Sequence, residues 1–136
     1  IEKLQRAQNT AARITLRMPR TEHTMPLLRM LHWLPIPSRI AYKIDSLCHT
    51  VLTTAYPKYL SELLNVYTPA RPLRSSLDPN ILYIAAAKTK SYGQRAFSYQ
   101  GPINWNRVPG SIRTVEEKDT FKRHLKTAIF STECLR

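Results

Sequence analysis

The run from Ile36 to Leu52 constrains the fold most, because its apolar residues recur at the spacing of a helix. From Ile40 onward they fall at steps of four, three, one, three and one, at Ile40, Ile44, Leu47, Cys48, Val51 and Leu52. This spacing places them on one face of an α-helix. Pro35 and Pro37 are tolerated before or within a first turn, and Ser38 can cap it. The run predicts a core helix, with Trp33 at its entrance.

A first helix is predicted from Ile1 to Arg17. Its apolar seam repeats every three or four residues, at Leu4, Ala7, Ala11, Ile14 and Met18. The basic residues Arg6, Arg13 and Arg17 lie on the opposite face. Such a half-basic helix is either an ordinary solvated surface or a phosphate-contacting one, and the pattern leaves both interpretations open. Pro19 ends the helix.

The remaining helices are shorter or less regular. They are predicted at residues 24–31, 59–64 and 93–105 and from residue 114 onward. Gly101-Pro102 should restart the third of these, because proline suits a first turn. The last begins at Thr114, with Glu117 three residues later as a capping box. Residues 131–136 are expected to be a frayed tail.

The segment between these helices follows a different pattern. Residues 67–77 are rich in proline, arginine and serine, which is loop chemistry, and residues 81–84 have β-propensity and could pair with residues 89–92. The predicted fold is therefore mainly α. It is a compact helical domain over residues 1–130 with five to six helices and an irregular segment, or a short β-ribbon, around residues 81–92.

Charge is the strongest compositional signal. The chain carries 21 Lys and Arg against 9 Asp and Glu, a net charge of +12. Such an excess favours a polyanion as partner, through Coulomb attraction and counterion release. The candidate nucleic-acid-binding residues are Arg6, Arg13, Arg17, Arg71, Arg74, Lys88, Lys90 and Arg95. We predict that two groups of them share a face and follow an RNA or DNA backbone without reading bases, namely Arg13 and Arg17 in the first helix and Arg71, Arg74, Lys88 and Lys90 in the later segment.

Aromatic and sulfur-containing side chains have competing interpretations. Trp33 and Trp105 are candidates for stacking on unpaired bases, but the core is the preferred place for both. Cys48 lies on the predicted apolar face and should be an inert core thiol, whereas Cys134 in the tail should react readily. Two distant cysteines form no disulfide framework and indicate a reducing, intracellular compartment, nuclear or cytoplasmic.

Motifs for catalysis and metal binding are not found in the sequence. The four histidines and two cysteines lack zinc-site spacing, no Gly-x-Ser-x-Gly occurs, and none of the three glycines opens a phosphate-binding loop. We therefore expect no catalytic residue, metal, cofactor or small-molecule substrate for this chain alone. No apolar run approaches the roughly 20 residues that span a bilayer, so no membrane partner is expected.

Seven groups of residues, in order over about residues 4–130, form a recognisable series. They are Leu4-Gln5-Arg6-x-Gln8-Asn9 with Ala11-Ala12-Arg13, His32-Trp33-Leu34-Pro35-Ile36 with Arg39-Ile40 and Tyr42-Lys43-Ile44, Pro57-x-Tyr59-Leu60 with Leu63-Leu64, Tyr67-x-Pro69-x-Arg71 with Leu73-Arg74-Ser75-Ser76, Tyr92-Gly93-x-Arg95-Ala96-Phe97-Ser98, Trp105-Asn106 with Pro109 and Ile112-Arg113, and Phe121-Lys122 with Leu125-Lys126-Thr127. Together they resemble the C-terminal region of LINE-type, non-LTR retrotransposon reverse transcriptases, downstream of the polymerase core.

This resemblance implies part of a nuclear polyprotein that copies its own transcript at a nicked target. The paired catalytic aspartates of such polymerases lie upstream, so the resemblance implies membership in a reverse transcriptase and no polymerase activity in this chain. The implied partners are RNA or DNA and the upstream polymerase domain of the same polyprotein. Two departures are the polar lead-in at residues 100–104 and the alanines at residues 85–87, where a proline and a basic residue are more usual.

Three functions remain open from the sequence. The first is a non-catalytic, nucleic-acid-binding accessory module that holds template RNA or target DNA. The second is a structural or protein-interaction module that buttresses the polymerase, with its charge serving solubility. The third is a decayed or host-retained transposon fragment. Convergence of the basic residues on one face would favour the first of these, and an even spread would favour the second.

Overall fold

The computed structural model describes residues 1–69, 80–87 and 89–134, except for the side chains of residues 133 and 134. In these ranges the chain is mainly helical, which confirms the predicted fold class, and one turn of 3₁₀ helix covers Gly93–Arg95. The α-helices in these ranges are α1 (Glu2–Leu16), α2 (Thr24–Met30), α3 (Ile36–Thr54), α4 (Lys58–Ser61), α5 (Phe97–Trp105), α6 (Gly110–Arg113) and α7 (Lys118–Cys134). Within the described ranges, no helix combines the length and the apolar character that crossing a bilayer requires.

Residue contacts divide the chain into two units. The terminal unit consists of Ile1–Ala41 and Ala128–Arg136, and the central unit consists of Tyr42–Thr127. The single domain expected over residues 1–130 stays a prediction. Helix α7 ends at Cys134, within the segment that the sequence predicts as a tail.

The core of the terminal unit lies where α1 meets α2. Ala12, Leu27 and Leu28 are buried at its centre. Partly buried apolar side chains pack against them, those of Leu16, Met25, Leu31 and Trp33. The backbone N–H of Trp33 donates to the Leu28 carbonyl at 2.8 Å, which fixes the chain after α2. Trp33 is thus half-buried against a small apolar cluster, close to where the sequence predicts it.

Helix α1 buries a different face from the predicted one. Leu4 and Ile14 belong to the predicted apolar seam, yet they are 61% and 72% exposed. Gln8 and Ala12 are the buried residues of this helix. The seam prediction for α1 is therefore wrong, and an apolar stripe on this helix faces solvent.

Two glutamines explain the orientation of α1. Gln8 Nε2 donates to the Leu34 carbonyl at 2.8 Å, and Gln5 Oε1 accepts from the backbone N–H of Ile36 at 2.8 Å. Ile36 opens α3, so its N–H has no partner within that helix. Because buried backbone groups need hydrogen bonds, these side chains hold α1 with its amide face inward.

The core of the central unit is an aromatic stack. His49 of α3 stacks on Phe121 of α7 with ring centroids 4.0 Å apart, and Phe121 stacks on Trp105 of α5 at 5.8 Å. All three side chains are almost fully buried. His49 Nε2 donates to the Val115 carbonyl at 2.7 Å, since a carbonyl oxygen only accepts. The stack joins three helices that are far apart in sequence.

This stack also sets the orientation of α3. Asp45 and His49 are buried, although neither is among the apolar residues that define the predicted core face. Ile40 and Leu47 are predicted core residues, but they are 44% and 37% exposed. Cys48 is fully buried, as predicted. The buried side of α3 therefore includes polar residues, because the His49 ring packs against Phe121 in the core.

Helix α5 runs unbroken through Gly101-Pro102, where the sequence predicts a restart. Gly101 passes very close to α3. A Cβ added at Gly101 would lie 3.2 Å from Cys48 Sγ and 3.4 Å from Leu64 Cδ2. Pro102 removes one N–H from the helix, but its ring is fully buried and contributes to packing. Burial of both residues accounts for the continuous helix.

Helix α7 begins at Lys118, four residues after the predicted start. Thr114 instead ends α6, and its Oγ1 donates to the Ser111 carbonyl at 3.1 Å. The predicted capping box is therefore wrong. Glu117 directly precedes α7, and its carbonyl accepts the Phe121 N–H at 2.9 Å. The sequence predicts an apolar stripe on this helix at Phe121, Leu125, Ala128 and Ile129. The prediction is confirmed at Phe121 and at Leu125, which are both buried.

The predicted ribbon between residues 81–84 and 89–92 is not formed within the described residues. Leu82 instead makes an isolated antiparallel bridge with Val66. On its other side, Asn106 Oδ1 accepts from the Leu82 N–H at 2.9 Å, and Asn106 Nδ2 donates to the Leu82 carbonyl at 2.8 Å. Both polar backbone groups of Leu82 are thus bound by one side chain at the end of α5.

Candidate nucleic-acid interface

The structure describes five of the eight predicted nucleic-acid-binding residues. Arg6, Arg13 and Arg17 lie in the terminal unit, and Lys90 and Arg95 lie in the central unit. The other three, Arg71, Arg74 and Lys88, lie outside the described residues. The predicted shared face stays a prediction, and the described residues of the two units are taken separately.

Two arginines on α1 are open to solvent. Arg6 and Arg17 are exposed, and they stand eleven residues apart, which is close to three helical turns. Arg6 lies in the first half of α1 and Arg17 caps its C-terminal end, so the two residues are about 16 Å apart along the helix axis. Neither forms an ion pair with a residue that the structure describes. Both guanidinium groups are available to an external anion.

Arg13 lies seven residues after Arg6, on the same side of α1 as Arg6, but its side chain has a structural contact. Its side chain is half-buried, and Nη2 donates to the Glu22 carbonyl at 3.0 Å. The contact ties the end of α1 to the turn that leads to α2. Because part of its guanidinium is already occupied, Arg13 is less available to a phosphate than Arg6 or Arg17.

The end of α1 depends on the backbone of Arg17. Arg17 adopts a left-handed conformation with φ of 54°, and its N–H donates to the Ile14 carbonyl at 3.2 Å. Next to it, the Met18 N–H donates to the Arg13 carbonyl at 2.9 Å. Glycine is the usual residue at such a position, so arginine here carries a modest backbone cost.

The central unit presents a second basic group on the segment from Thr89 to Ala96, which we call the 89–96 loop. Lys90, Tyr92 and Arg95 are all exposed on it. The Tyr92 side chain is 83% exposed. Lys90 and Arg95 form no ion pair with any described residue. Two cations and one aromatic ring thus face solvent within six consecutive residues.

Hydrogen bonds shape the 89–96 loop. Thr89 Oγ1 accepts from the Gly93 N–H at 2.9 Å, and the Thr89 carbonyl accepts from the Gln94 N–H at 3.1 Å. Gln100 Nε2, on α5, donates to the Gln94 carbonyl at 2.7 Å. Because these bonds satisfy much of the loop backbone and tie it to a helix, the loop has a defined conformation and its exposed side chains have fixed starting points.

Gly93 fits this geometry because it lacks a side chain. A Cβ added there would lie 3.2 Å from Thr89 Oγ1 and 3.4 Å from the Ala87 Cβ. The first distance is tighter than ordinary van der Waals contact and falls on the oxygen that accepts the Gly93 N–H. A side chain at residue 93 would therefore require the Thr89 side chain to move by a few tenths of an ångström.

The tryptophans are core residues. Trp105 is 1% exposed, its ring contacts His49 and Phe121, and its Nε1–H donates to the Asn80 carbonyl at 2.8 Å. Base stacking needs an open face, so the preference for a core role of Trp105 is confirmed. Trp33 is half-buried against the apolar cluster of the terminal unit, in agreement with the same preference.

Tyr92 is the most exposed tyrosine that the structure describes, and the sequence interpretation did not include it among the site residues. The signal was present, since Tyr92 stands between Lys90 and Arg95 and directly before Gly93. Sequence alone gave it no more weight than other tyrosines such as Tyr99. Tyr92 differs from Tyr99 because it is exposed on the hydrogen-bonded 89–96 loop, whereas Tyr99 is half-buried.

One buried carboxyl group lies apart from these basic residues. Asp45 is 4% exposed, and its Oδ1 has no hydrogen-bond partner among the described residues. Burial raises the pKa of Asp45 to about 7, and the nearby Arg107 guanidinium opposes that rise. Burial also raises the pKa of the Cys48 thiol to about 12, with a further contribution from the Asp45 charge. Both groups favour their neutral forms, as expected in an apolar surrounding.

Within the described ranges, no three His, Cys, Asp or Glu side chains lie together as a metal site would require. Comparisons with protein-family models, with curated proteins and with solved structures find no match to this chain.

Proposed function

We propose that this chain is a non-catalytic, nucleic-acid-binding accessory module of a LINE-type reverse transcriptase, and that it holds template RNA or target DNA through basic surface residues. The observation that carries the proposal is the exposure of Arg6, Arg17, Lys90 and Arg95, none of which is paired with a described acid. They belong to a chain with a net charge of +12. The order of family-like motifs along the sequence gives the proposal its context.

The mechanism is attraction to the phosphate backbone. Arginine offers a planar fork of donors that matches phosphate oxygens, and its charge is constant at every physiological pH. Each neutralised phosphate releases condensed counterions, so the binding free energy depends steeply on salt. Contacts of this kind position a strand without reading its sequence. The module thus holds the nucleic acid, and the chemistry takes place on the upstream polymerase domain.

A salt titration tests the proposal directly. We expect the logarithm of the affinity to fall linearly with the logarithm of salt concentration. If four to six phosphates are neutralised, the slope is about −3 to −4 on single strands and about −4 to −5 on duplex. The measurement is fluorescence anisotropy with labelled RNA and DNA of matched length. A slope near zero would refute a phosphate-binding role.

Charge reversals separate a defined surface from diffuse net charge. Arg6→Glu with Arg17→Glu should weaken binding to all sequences alike and flatten the slope. Lys122→Glu with Lys126→Glu changes the net charge by the same amount on α7 and is the matched control. Lys122 already pairs with Asp119 at 3.1 Å, so this control should have much less effect. Equal losses in both variants would mean that only the overall charge attracts the nucleic acid.

The alternative, a protein-interaction module that buttresses the polymerase, is favoured by one observation. The apolar stripe of α1 is exposed at Leu4 and Ile14, and Met18 just beyond it is 40% exposed. In this alternative the stripe contacts the upstream polymerase domain of the same polyprotein. Leu4→Ser with Ile14→Ser, which removes the apolar side chains and adds no charge, would then abolish association of the two parts while leaving nucleic-acid affinity unchanged, as a pull-down and an anisotropy titration would show.

A nuclear or cytoplasmic location belongs to the same proposal. Both templates that such a module would hold, RNA and chromosomal DNA, are found there. Fractionation of cells that produce the tagged chain, with a nuclear and a cytoplasmic marker, would test the location. Recovery outside both compartments would contradict it.

A further inference from the structure

We propose that Tyr92 is a stacking platform for one unpaired base, with Lys90 and Arg95 neutralising the phosphates on either side of it. The inference rests on the proposed function and makes it more specific, because it names unpaired nucleic acid as the preferred ligand. The geometry that carries it is the 89–96 loop, where an open aromatic ring and two unpaired cations lie on a hydrogen-bonded backbone.

The ring of Tyr92 has the exposure that stacking needs. Its side chain is 83% exposed, against 1% for Trp105 in the same unit. Burying an aromatic face under a base removes apolar area from water on both partners. Every base has a π-face, so such a contact tolerates any sequence. A base stacked on Tyr92 would cover this exposed ring.

The loop backbone lowers the cost of binding. The Arg95 N–H donates to the Tyr92 carbonyl at 3.0 Å, and the Ala96 N–H donates to the Gly93 carbonyl at 3.2 Å. With the two hydrogen bonds that Thr89 accepts and the one that Gln100 donates, the backbone on both sides of Tyr92 is already ordered. A ligand therefore meets a preformed surface and spends little free energy on ordering the loop.

The charges select the class of ligand. Lys90 and Arg95 lie two residues before and three residues after Tyr92, and neither has a described acid as partner. A cation on each side of an exposed ring suits an aromatic base between two phosphates. In a duplex the bases are stacked on each other and paired, so Tyr92 gains no face there. The loop should therefore favour single strands over duplex.

Substitution of Tyr92 tests the inference. Tyr92→Ala should weaken binding of a 12-nucleotide single-stranded RNA by about fivefold to 150-fold, the range measured for loss of one stacked base. Binding of a duplex of the same length should be unchanged, and so should the salt slope, because no charge is removed. Tyr92→Phe keeps the ring and should retain wild-type affinity. Circular dichroism would verify that each variant is folded.

Tyr59→Ala is the matched control. Tyr59 is 68% exposed and follows Lys58, so it resembles Tyr92 in exposure and in having a cationic neighbour, but it lies on α4. This variant should bind the same RNA as tightly as the wild type does. Lys90→Gln with Arg95→Gln should flatten the single-strand slope by about 1.4 while Tyr92→Ala leaves it unaltered.

The outcomes separate the two proposals. If the wild type binds RNA with the expected salt slope but Tyr92→Ala behaves like Tyr59→Ala, the stacking inference is wrong and the proposed function stands. An equal loss of duplex and single-strand binding in Tyr92→Ala would also overturn stacking. If the wild type binds neither nucleic acid, both proposals fail together. A loss confined to single strands and to Tyr92→Ala would support the inference.

Discussion

Replacement of Asp45 by asparagine should change how the stability of this protein depends on pH. Asp45 is 4% exposed, and burial raises its pKa from 3.8 to about 7. A carboxyl group whose pKa is raised by folding binds its proton more tightly in the folded state than in the unfolded state. Ionisation of Asp45 therefore destabilises the fold as the pH rises.

The magnitude follows from the size of the shift. At about 1.4 kcal/mol per pKa unit, a rise from 3.8 to about 7 corresponds to about 4 kcal/mol. The cost is absent below about pH 4, where the carboxyl is protonated in both states, and it grows as the pH rises. It is complete above about pH 7. Total stabilities are only about 5–15 kcal/mol, so the loss is a large fraction.

Urea denaturation followed by circular dichroism would measure this effect. Between pH 5 and pH 8 the wild type should lose about 3 kcal/mol from Asp45, which moves the urea midpoint by roughly 1–3 M. Asp45→Asn should remove this component, so its advantage over the wild type should grow with pH. Arg107→Gln removes the cation that opposes the shift and should steepen the wild-type dependence.

Asp119→Asn is a suitable control. Asp119 is an exposed aspartate on α7, so its replacement should leave the slope of stability against pH as in the wild type. Parallel curves for Asp45→Asn and the wild type from pH 5 to pH 8 would refute the reasoning.

Three further predictions concern the cores of the two units. Trp105→Ala should lower the free energy of unfolding by about 3–5 kcal/mol, and Trp33→Ala should lower it by less, because Trp33 is only half-buried. Denaturant midpoints measure both losses, and equal losses would contradict this ranking. A thiol reagent should modify Cys134 in the folded protein, whereas Cys48 should react only on unfolding, because it is fully buried and its pKa is raised to about 12. Mass spectrometry of the labelled chain distinguishes the two sites, and labelling of both in the native protein would show that α3 is misplaced. Asn106→Ala should speed amide hydrogen exchange at Leu82, because the Leu82 N–H donates a hydrogen bond to the Asn106 side chain. Unchanged exchange at Leu82 would argue against this contact.

The sequence alone determined the existence and approximate position of the main helices. Apolar periodicity and proline positions are local properties, and they were sufficient for α1, α3 and α7. They also placed Cys48 and Phe121 inside, where the structure has them. Net charge and the basic residues themselves were likewise readable, because charge depends on composition and not on folding.

Only the tertiary structure decided which faces of α1 and α3 are buried. Helix α1 turned its glutamines inward because Gln8 meets the Leu34 carbonyl, 26 residues away in the chain. Helix α3 turned Asp45 and His49 inward because His49 stacks on Phe121. Both contacts join residues that no local pattern connects.

The candidate site divides in the same way. Lys90 and Arg95 were identified from sequence, but the importance of Tyr92 depends on its exposure and on the bonds that Thr89 makes to the 89–96 loop. Exposure is a property of how the whole chain covers a residue, and a hydrogen-bonded loop depends on atoms that approach each other only after folding. The local sequence therefore determines which side chains are present, whereas contacts between residues distant in sequence determine which of those side chains a ligand can reach.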